Sequence, residues 1–435
     1  MKKIIIVFLM LVQAQSMAFQ TEITNRIRRS GLKEKDLGMY IYSQSQKKVL
    51  FDLNTHNKKI PASITKLATA SAVLAHFPLG YKFKTSLWSK GVIENGVLKG
   101  DLYLKGGGDP GFVSENLWYL VNAFTRSEIK KITGSIIVDD QLFDNERYDS
   151  SRQSKRVDRA YDAPVGAMSF NWNSVNIFVR PTKKGQTAKV FIDPATSYIQ
   201  LINKTTTVAG AENQLVAERK EGESKDTIIV SGKIGEKNSE IVIFKNISQP
   251  DLWSGHQLKE FLLQRNILIE GSIKTGKIPE GAEVLAENEG SSIEKAITDM
   301  NKFSNNYVAE MLTKNIAATP ELQNEKAALL TKNASLQQGV LAIEKHLKTI
   351  GLSDKEFVFL NPSGLTRDNE FSPYAIWQIL DHLSKDFRVF PEFLASLPIA
   401  GVDGTLKKRM KNSAAEGWVR AKTGYLDNVV SLAGY

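Results

Sequence analysis

The chain has 435 residues, 42% of them hydrophobic and 24% charged, a composition typical of a soluble globular protein with room for about two or three domains. Cysteine is absent, which excludes disulfides, thiolate metal sites and a lipid-modified N-terminal cysteine. The formal net charge of +10 is spread along the chain without a dense basic block. We therefore expect no nucleic acid partner, and instead peripheral association with an anionic wall polymer or membrane surface.

The first 18 residues have the pattern of a secretory signal peptide. Lys2 and Lys3 precede an apolar run over residues 4–12, and Ser16, Met17 and Ala18 form a small-x-small cleavage site. Cleavage near Ala18 would make the mature protein periplasmic or secreted, while an uncleaved segment would leave it anchored to a membrane. No later apolar run reaches the length of a membrane span.

The remaining elements suggest one domain interrupted by an insertion. A helix is predicted over residues 21–29, followed by a hairpin with strands at 38–43 and 49–53 and a helix that starts at Pro61 and ends near His76. Short strands and Gly/Asn turns then dominate residues 83–289, and the Gly-rich stretch at 106–110 is interpreted as a tight turn, because it lacks the ending of a phosphate loop.

Helical periodicity returns at Ile293. Helices are predicted there at residues 300–317, 320–352, 373–383 and 391–394. Two closing strands are predicted at residues 417–426 and 429–435. The predicted segments are thus 19–82 and 290–435 of a mixed α/β (α+β) domain, with a β-rich insert at 83–289.

Ser63 and Lys66 are the first candidate catalytic pair. Residues three apart are neighbours on a helix, and a serine in the first turn lies near the positive end of the helix dipole. A desolvated lysine one turn later can take the hydroxyl proton and create a nucleophile. The spacing alone is weak, because it recurs at Ser45/Lys48, Ser127/Lys130 and Ser292/Lys295.

Two later patterns could complete this pair. Ser304 and Asn306 offer a hydroxyl for proton relay and a carboxamide for a substrate amide, although Ser304 could equally be a helix N-cap. Lys422, Thr423 and Gly424 offer a cation and a hydroxyl for a carboxylate, with a glycine that allows close approach to the backbone. The same triplet at residues 274–276 lies in the predicted insert, and we interpret it as a decoy.

The order Ser-x-x-Lys, Ser-x-Asn, Lys-Thr-Gly is the signature of penicillin-recognising serine enzymes. The long gap between the first two motifs resembles that of the class C low-molecular-mass penicillin-binding proteins, the D-alanyl-D-alanine carboxypeptidase/endopeptidase family. The chain is also similar to this family at residues 104–110, 163–164, 361–369 and 400–406. The resemblance implies a transpeptidase-like domain, an antiparallel sheet flanked by helices, that is interrupted by two small β-rich domains.

The resemblance also implies roles for the catalytic residues. Ser63 would be the acylated nucleophile and Lys66 its base, while Ser304 and Asn306 would line the second wall of the site. Lys422 would face the substrate carboxylate. The reaction would be acyl transfer from a D-alanyl amide to Ser63, followed by hydrolysis of the ester.

Further residues would bind the substrate. Thr423 would meet the carboxylate beside Gly424, and the backbone N–H groups of Ser63 and Tyr425 would form the oxyanion hole. Arg367 resembles a family arginine near the pocket for the diamino-acid side chain of the peptide. Asp158 resembles the acidic residue that meets the ammonium of that side chain, although a solvated surface aspartate is an equal alternative.

The expected function is that of an exported serine DD-peptidase that cleaves D-alanyl amide bonds of peptidoglycan stem peptides or cross-links and is acylated by β-lactams. We expect this enzyme to need no cofactor or metal, and we expect the five histidines to be structural or on the surface. The alternatives are a catalytically impaired wall-binding homologue and a β-lactamase.

Two departures from the family pattern bear on activity. Tyr425 occupies a position where the family has Thr or Ser, and we expect the missing hydroxyl to weaken carboxypeptidase more than endopeptidase action. The family also continues beyond the position of Tyr435 with a strand and a helix, so the pattern predicts a truncated chain with an exposed sheet edge.

Overall fold

The computed structural model describes residues 18–151, 158–319 and 333–435. Its buried hydrophobic side chains form two clusters. The first cluster combines residues 64–83 with residues 293–397 and a few side chains between positions 143 and 167. The second cluster lies within residues 87–286. Along the sequence, the chain therefore contributes first to one core, then forms the second core, and then contributes to the first core again.

The first core begins with a hairpin and a buried helix. The elements are α1 (residues 18–30), β1 (Met39–Ser43), β2 (Lys48–Leu53) and α2 (Lys66–His76). Strands β1 and β2 pair antiparallel. Helix α2 is rich in Ala and Leu, which favour helix, and it buries every side chain from position 66 to position 74. A helix that is buried on all sides lies at the centre of a domain.

The intervening segment contains most of the strands. They are β3 (Lys82–Ser89), β4 (Val92–Glu94), β5 (Val97–Lys99), β6 (Leu102–Lys105), β7 (Lys131–Ile132), β8 (Ile136–Asp139), β9 (Ser174–Arg180), β10 (Lys189–Asp193), β11 (Ile199–Val208), β12 (Val216–Lys220), β13 (Asp226–Gly235), β14 (Ile241–Asn246), β15 (Leu268–Ile269), β16 (Ile273–Thr275) and β17 (Glu283–Ser292). Two helices, α3 (Ser114–Thr125) and α4 (Pro250–Leu263), accompany them.

These strands form four sheets among the described residues. The strand orders are β16-β8-β6-β3-β17, β15-β7-β5-β4, β10-β9-β14 and β11-β13-β12. In β9 the buried residues Val175, Ile177 and Val179 alternate with less buried ones, the pattern of a sheet with one face on a core.

The chain then returns to the first core. The elements are α5 (Ile293–Lys302), α6 (Asn306–Ala318), α7 (Leu336–Thr349), β18 (Phe357–Val358), β19 (Glu370–Phe371), α8 (Pro373–Lys385), α9 (Phe390–Ser396), β20 (Ala421–Leu426) and β21 (Val429–Gly434). Helix α6 is almost entirely buried and packs against α2, α5 and α7. Strands β20 and β21 pair antiparallel, and in the described part of the chain they form a two-stranded sheet separate from β1 and β2.

Most elements near the motifs agree with the sequence prediction, including the first hairpin, the helix that ends at His76 and the closing pair of strands. The single helix predicted over residues 300–317 is wrong. The chain breaks between α5 and α6, where Ser304 has φ +56° and the Asn305 side chain caps α6 by accepting a hydrogen bond from the Val308 N–H. A left-handed residue ends one helix and lets the next begin at a new angle.

The insert also differs from its prediction. Helices α3 and α4 were not expected in this strand-rich region, and strands β5 and β6 are separated at Gly100, whose φ is +148°. The Gly-rich stretch over residues 106–110 is largely irregular, with a turn only from Pro110, and it packs tightly: a Cβ on Gly107 would lie 2.0 Å from the Lys84 carbonyl oxygen.

Some predictions fall on residues outside the described ranges. They are the signal peptide at residues 1–17 and the first part of the helix predicted at 320–352. Within the described ranges, no helix has both the length and the apolar character needed to cross a membrane.

Candidate active site

A tight turn presents Ser63 at the start of α2. Pro61 is followed by a short 3-10 turn over Ala62–Thr65, and Ala62 has φ +49°. Ser63 remains partly exposed, whereas its neighbours are buried. The turn thus leaves the hydroxyl accessible while the flanking residues fix its backbone. Residues held in such a strained conformation are common at functional sites.

Lys66 lies one turn later and is fully buried, with 0% exposure. Its Nζ donates hydrogen bonds to Ser63 Oγ at 3.1 Å, Asn306 Oδ1 at 2.8 Å and the main-chain oxygen of Ser363 at 2.5 Å. The amine is therefore within hydrogen-bond reach of the hydroxyl proton that it would have to accept.

The break between α5 and α6 supplies the second wall. Ser304 does not cap α6 but accepts a hydrogen bond of 2.8 Å from Lys422 Nζ. The Asn306 carboxamide accepts from Lys66 and donates to the main-chain oxygen of Tyr161 at 3.1 Å. Asn306 therefore joins the nucleophile side of the site to residues of the intervening segment.

Lys422 on β20 is also fully buried. It donates to Ser304 Oγ and, at 2.7 Å, to the main-chain oxygen of Thr423. Burial lowers the pKa of Lys422 from its ordinary value of 10.5 to about 7, because desolvation disfavours the charged form. The Thr423 hydroxyl donates to Thr405 Oγ1 at 2.7 Å. A second titratable amine therefore lies beside the second hydroxyl.

Strand β20 lies directly against the nucleophile turn at Gly424. A Cβ at this position would lie 2.7 Å from the Pro61 carbonyl oxygen and 3.0 Å from the Ser63 nitrogen, closer than side chains normally approach. Ser431 on β21 reinforces the contact by donating to the Pro61 carbonyl at 2.6 Å. The next residue, Tyr425, directs its side chain to solvent and is 72% exposed.

Two predicted substrate residues make their hydrogen bonds elsewhere. Arg367 Nη2 donates to the main-chain oxygen of Asp427, in the turn between β20 and β21, at 2.6 Å. The Asp158 carboxylate pairs with Lys245 Nζ at 2.6 Å and accepts from the Arg219 N–H at 3.0 Å. In the described ranges neither side chain has a hydrogen bond with the motif residues. Their role in substrate binding stays a prediction.

Sequence reasoning missed Ser363, Tyr161 and Thr405. Ser363 and Tyr161 contribute main-chain oxygens, which any residue type could supply, so the sequence contains no direct signal for them. The partner of Thr423 could have been sought in the conspicuous stretch over residues 400–406, which contains Thr405.

The histidines make their contacts away from Ser63. His56 meets Glu356, His76 meets Thr319, His256 meets Ser197, His346 meets Ser71, and the His382 ring lies 6.2 Å from that of His346. Within the described ranges no group of three His, Cys, Asp or Glu residues is arranged to hold a metal ion.

The family model described as the D-Ala-D-Ala carboxypeptidase 3 (S13) family matches residues 19–435 of the chain. The chain belongs to this family. It is therefore a serine-type peptidase of the D-Ala-D-Ala carboxypeptidase kind. The convergence of the three motifs on one site is in accord with this assignment.

Individual relatives cover most of the chain. The D-alanyl-D-alanine carboxypeptidase of Actinomadura sp. (strain R39) is 29% identical over 413 residues, which are 92% of this chain and 74% of the relative. The D-alanyl-D-alanine carboxypeptidase DacB of Haemophilus influenzae is 24% identical over 434 residues, 97% of this chain and 87% of the relative.

A solved structure has the same fold. Penicillin-binding protein 4 of Haemophilus influenzae superposes with a TM-score of 0.76 at 23% identity, covering 91% of this chain and 86% of that one. A second structure of that protein, in complex with a β-lactam, gives a TM-score of 0.72 at 22% identity over 91% of this chain and 85% of that one. The penicillin-binding fold with additional domains is thus confirmed.

Proposed function

We propose that the chain is an exported D-alanyl peptidase of peptidoglycan that works through an acyl-enzyme on Ser63. The observation that carries this proposal is the hydrogen bond of 3.1 Å from the buried Lys66 amine to Ser63 Oγ, in a site that Asn306 and Gly424 close from two sides. An impaired homologue would be expected to have lost part of this constellation.

The first step forms an ester and breaks an amide. Lys66, in its neutral form, takes the Ser63 proton while Oγ attacks the carbonyl carbon of the penultimate D-alanine. The N–H groups of Ser63 and Tyr425 stabilise the oxyanion of the tetrahedral intermediate. The C–N bond then breaks, and the leaving amine receives a proton through Ser304 and Lys422, which are 2.8 Å apart.

The second step regenerates the enzyme. Water attacks the ester carbonyl and gives one proton to Lys422, which replaces the proton delivered to the leaving amine. The C–O bond then breaks as Ser63 Oγ takes back the proton held by Lys66, and the released peptide acid loses its own proton to solvent as a carboxylate. The leaving group is D-alanine in a carboxypeptidase and a cross-linked peptide in an endopeptidase. The same attack on a β-lactam opens the ring but retains the leaving amine within the adduct.

Carboxylate recognition is assigned to the third motif. A protonated Lys422 and the Thr423 hydroxyl would hold the carboxylate of the substrate or of a β-lactam. The Thr423 hydroxyl donates to Thr405 Oγ1 in the structure, so it would have to turn its O–H from Thr405 to the carboxylate when substrate binds. Arg367 and Asp158 are proposed only as residues of the outer pocket, because their hydrogen bonds are with other parts of the chain.

The decisive experiment is intact mass spectrometry after incubation with benzylpenicillin. The wild type should gain one adduct with the mass of the whole antibiotic, and the Ser63→Ala variant should gain none. An adduct that persists in the variant would exclude Ser63 as the nucleophile. A folded wild type without any adduct would favour the wall-binding alternative, and rapid release of hydrolysed antibiotic would favour a β-lactamase.

We further propose that Tyr425 weakens carboxypeptidase action more than endopeptidase action on cross-links. Tyr425 places an exposed ring, in the position of a family hydroxyl, beside the carboxylate site. A Tyr425→Thr variant should therefore increase the ratio of D-alanine release to cross-link cleavage, as measured by chromatography of the two products. An unchanged ratio would exclude this role for Tyr425.

Export and the domain division are proposals of the same kind. Export rests on the signal-like residues 1–18 and is tested by N-terminal sequencing of the mature protein, which should begin near residue 19.

The division of the chain into the segments 19–82, 83–289 and 290–435 is supported by the two separate clusters of buried side chains. The net charge supports peripheral association with an anionic wall or membrane surface.

A further inference from the structure

Helix α3 presents two neighbouring aromatic side chains to solvent. Trp118 is 47% exposed and Tyr119 is 59% exposed, and their ring centroids lie 5.1 Å apart in an edge-to-face arrangement. The core contacts of α3 are made by other residues, such as Leu117 and Leu120. Neither exposed ring is therefore accounted for by the packing of the helix, and exposed aromatic clusters often mark binding surfaces.

An arginine is fixed beside these rings. The Arg265 guanidinium carbon lies 5.6 Å from the centroid of the Trp118 ring, and Nη2 donates to Asn122 Oδ1 at 2.8 Å. Asn122 is on the same helix, so both contacts hold the guanidinium against α3. Among the described residues Asn122 is its one hydrogen-bond acceptor. The other N–H groups of this planar donor are available to a ligand.

The surface of α3 that carries Trp118 and Tyr119 is connected to the candidate active site through packed and consecutive elements. Helix α3 packs on β17, and Asn116 Nδ2 donates to Asn288 Oδ1 on that strand at 3.5 Å. Strand β17 ends at Ser292 and continues directly into α5, which leads to Ser304. A ligand bound on α3 would therefore be attached to the structural unit that carries the second wall of the site.

We propose that Trp118, Tyr119 and Arg265, here termed the aromatic platform, bind the glycan strand of peptidoglycan. The C–H face of a pyranose ring can stack on an exposed indole or phenol ring, while sugar hydroxyl, acetamido and carboxylate oxygens accept hydrogen bonds from the guanidinium. The positive charge of Arg265 complements the carboxylates of the wall polymer. A protein interface of ordinary size would need a wider apolar surface than two rings.

This inference rests on the proposed function, because it takes the polymer that carries the stem peptides as the substrate. The platform would hold the glycan while Ser63 acts on an attached peptide. It would therefore favour intact wall over soluble peptides.

The test uses the full chain and fluorescently labelled glycan strands from which an amidase has removed the peptides. The double variant Trp118→Ala/Tyr119→Ala should weaken binding, measured by fluorescence anisotropy, by about tenfold or more, as expected for loss of two aromatic anchors. Arg265→Gln should have a smaller effect in the same direction. Phe387→Ala, which removes a ring that is 87% exposed between α8 and α9, is the matched control and should bind like the wild type.

The inference is overturned if the wild type does not bind the strands, if the double variant binds them equally well, or if Phe387→Ala loses as much affinity. Peptide-free strands lack the D-alanyl bond, so such a result would leave the peptidase proposal intact. Conversely, Ser63→Ala should bind the strands normally even though it cannot be acylated. Wild-type hydrolysis of a soluble stem pentapeptide by the double variant verifies that its active site is folded.

Discussion

Lys422 combines complete burial with neutral hydrogen-bond partners. Its Nζ meets the Ser304 hydroxyl and the Thr423 carbonyl, and its pKa is lowered to about 7 by desolvation. An amine with such a pKa is present in both protonation states near neutral pH. It can therefore bind a carboxylate in the charged form and exchange a proton with Ser304 as catalysis proceeds.

This pKa predicts an alkaline gain in stability. In the unfolded chain Lys422 returns to its ordinary pKa of 10.5, so between pH 7 and 10.5 the unfolded state binds more protons than the folded state. The free energy of unfolding contributed by this group therefore rises with pH in that window. Relative to Lys422→Met, which cannot titrate, the wild type should gain about 2 to 3 kcal/mol between pH 7.5 and 9.5. Urea unfolding of both proteins measures this difference, and a constant difference across the range would refute the lowered pKa.

Asn361 organises the loop that holds Lys66. Its fully buried side chain accepts hydrogen bonds from the N–H groups of Ser363, Gly364 and Leu365 at 3.0, 2.6 and 3.1 Å, and it donates to Asp149. The Ser363 carbonyl, in turn, accepts from Lys66. The carboxamide thus holds the Lys66 amine, the proposed base, through an intermediate piece of backbone.

Replacing Asn361 by Ala should cost about 3 kcal/mol in the free energy of unfolding, because several buried hydrogen bonds lose their partner. Acylation by benzylpenicillin should also become slower, by roughly tenfold or more, since the Lys66 amine is no longer held in place. Stopped-flow acylation and urea unfolding measure the two effects. The exposed Asn57→Ala serves as control, and a normal acylation rate in Asn361→Ala would rule out the positioning role.

At the scale of elements, the chain contains two Lys-Thr-Gly triplets. The one that ends at Gly276 serves as a control for the one on β20, which contains Lys422. Gly424 and Gly276 both end a Lys-Thr-Gly triplet. A Cβ on Gly424 would lie 2.1 Å from Ser431 Oγ and also 2.7 Å from the Pro61 carbonyl oxygen, whereas one on Gly276 would meet the flexible Ile137 side chain at 2.8 Å. Gly424→Ala should push β20 away from the Ser63 amide and lower the acylation rate by about a hundredfold, the typical effect of losing an oxyanion donor.

Gly276→Ala should leave the acylation rate within about twofold of the wild type, because a side-chain methyl group can move aside. Pre-steady-state acylation by a chromogenic β-lactam compares the two variants. Equal effects, or a normal rate in Gly424→Ala, would show that the close contact between β20 and the nucleophile turn is not required.

The three motifs could be predicted because each places its chemistry in side chains at a fixed local spacing. The single helix predicted across Ser304 was wrong although Ser304, Asn305 and Asn306 are weak helix formers, because the apolar periodicity on both sides was given more weight than this polar interruption. The Ser363 contribution was invisible for a different reason: it is made by a main-chain oxygen.

The composition of helix α3 explains why this helix was not predicted from the sequence. Leu117, Leu120, Val121 and Phe124 have helical spacing and are buried, but the neighbouring aromatic residues favour strands and the surrounding sequence is rich in turns. Helix α4 begins at Pro250, a good first residue of a helix, yet it is buried on most sides and lacks a clear amphipathic period. Both errors therefore arose where tertiary packing outweighs local pattern.

At the scale of the whole molecule, α6 ties the intervening segment to the first core. Lys314 Nζ, which is almost fully buried, pairs with Asp144 at 2.5 Å, and Asn315 Nδ2 donates to the Gly108 carbonyl at 2.7 Å. Helix α6 begins with Asn306 of the active site. The attachment of the insert and the second wall of the site thus depend on the same helix.

Removing one partner of this ion pair should be costly. Asp144→Leu leaves the Lys314 charge buried and unpaired and should lower the free energy of unfolding by about 3 kcal/mol or more. The double variant Asp144→Leu/Lys314→Met removes both charges and should recover most of that loss. Denaturant unfolding of the single and double variants forms the test, and a double variant as unstable as the single one would mean that packing, rather than charge pairing, dominates the junction.

Ser63 and Lys66 are synthesised long before Asn306, and Asn306 long before Lys422 and Gly424. The hydrogen bonds from Lys66 to Asn306 and from Lys422 to Ser304 each close a very long loop, so neither can form while its partner is still missing from the growing chain. A nascent chain that ends before these partners contains Ser63 and Lys66 without the residues that complete the candidate site. The discontinuous arrangement of the site therefore predicts that activity toward D-alanyl peptides appears only after strand β20 has been translated.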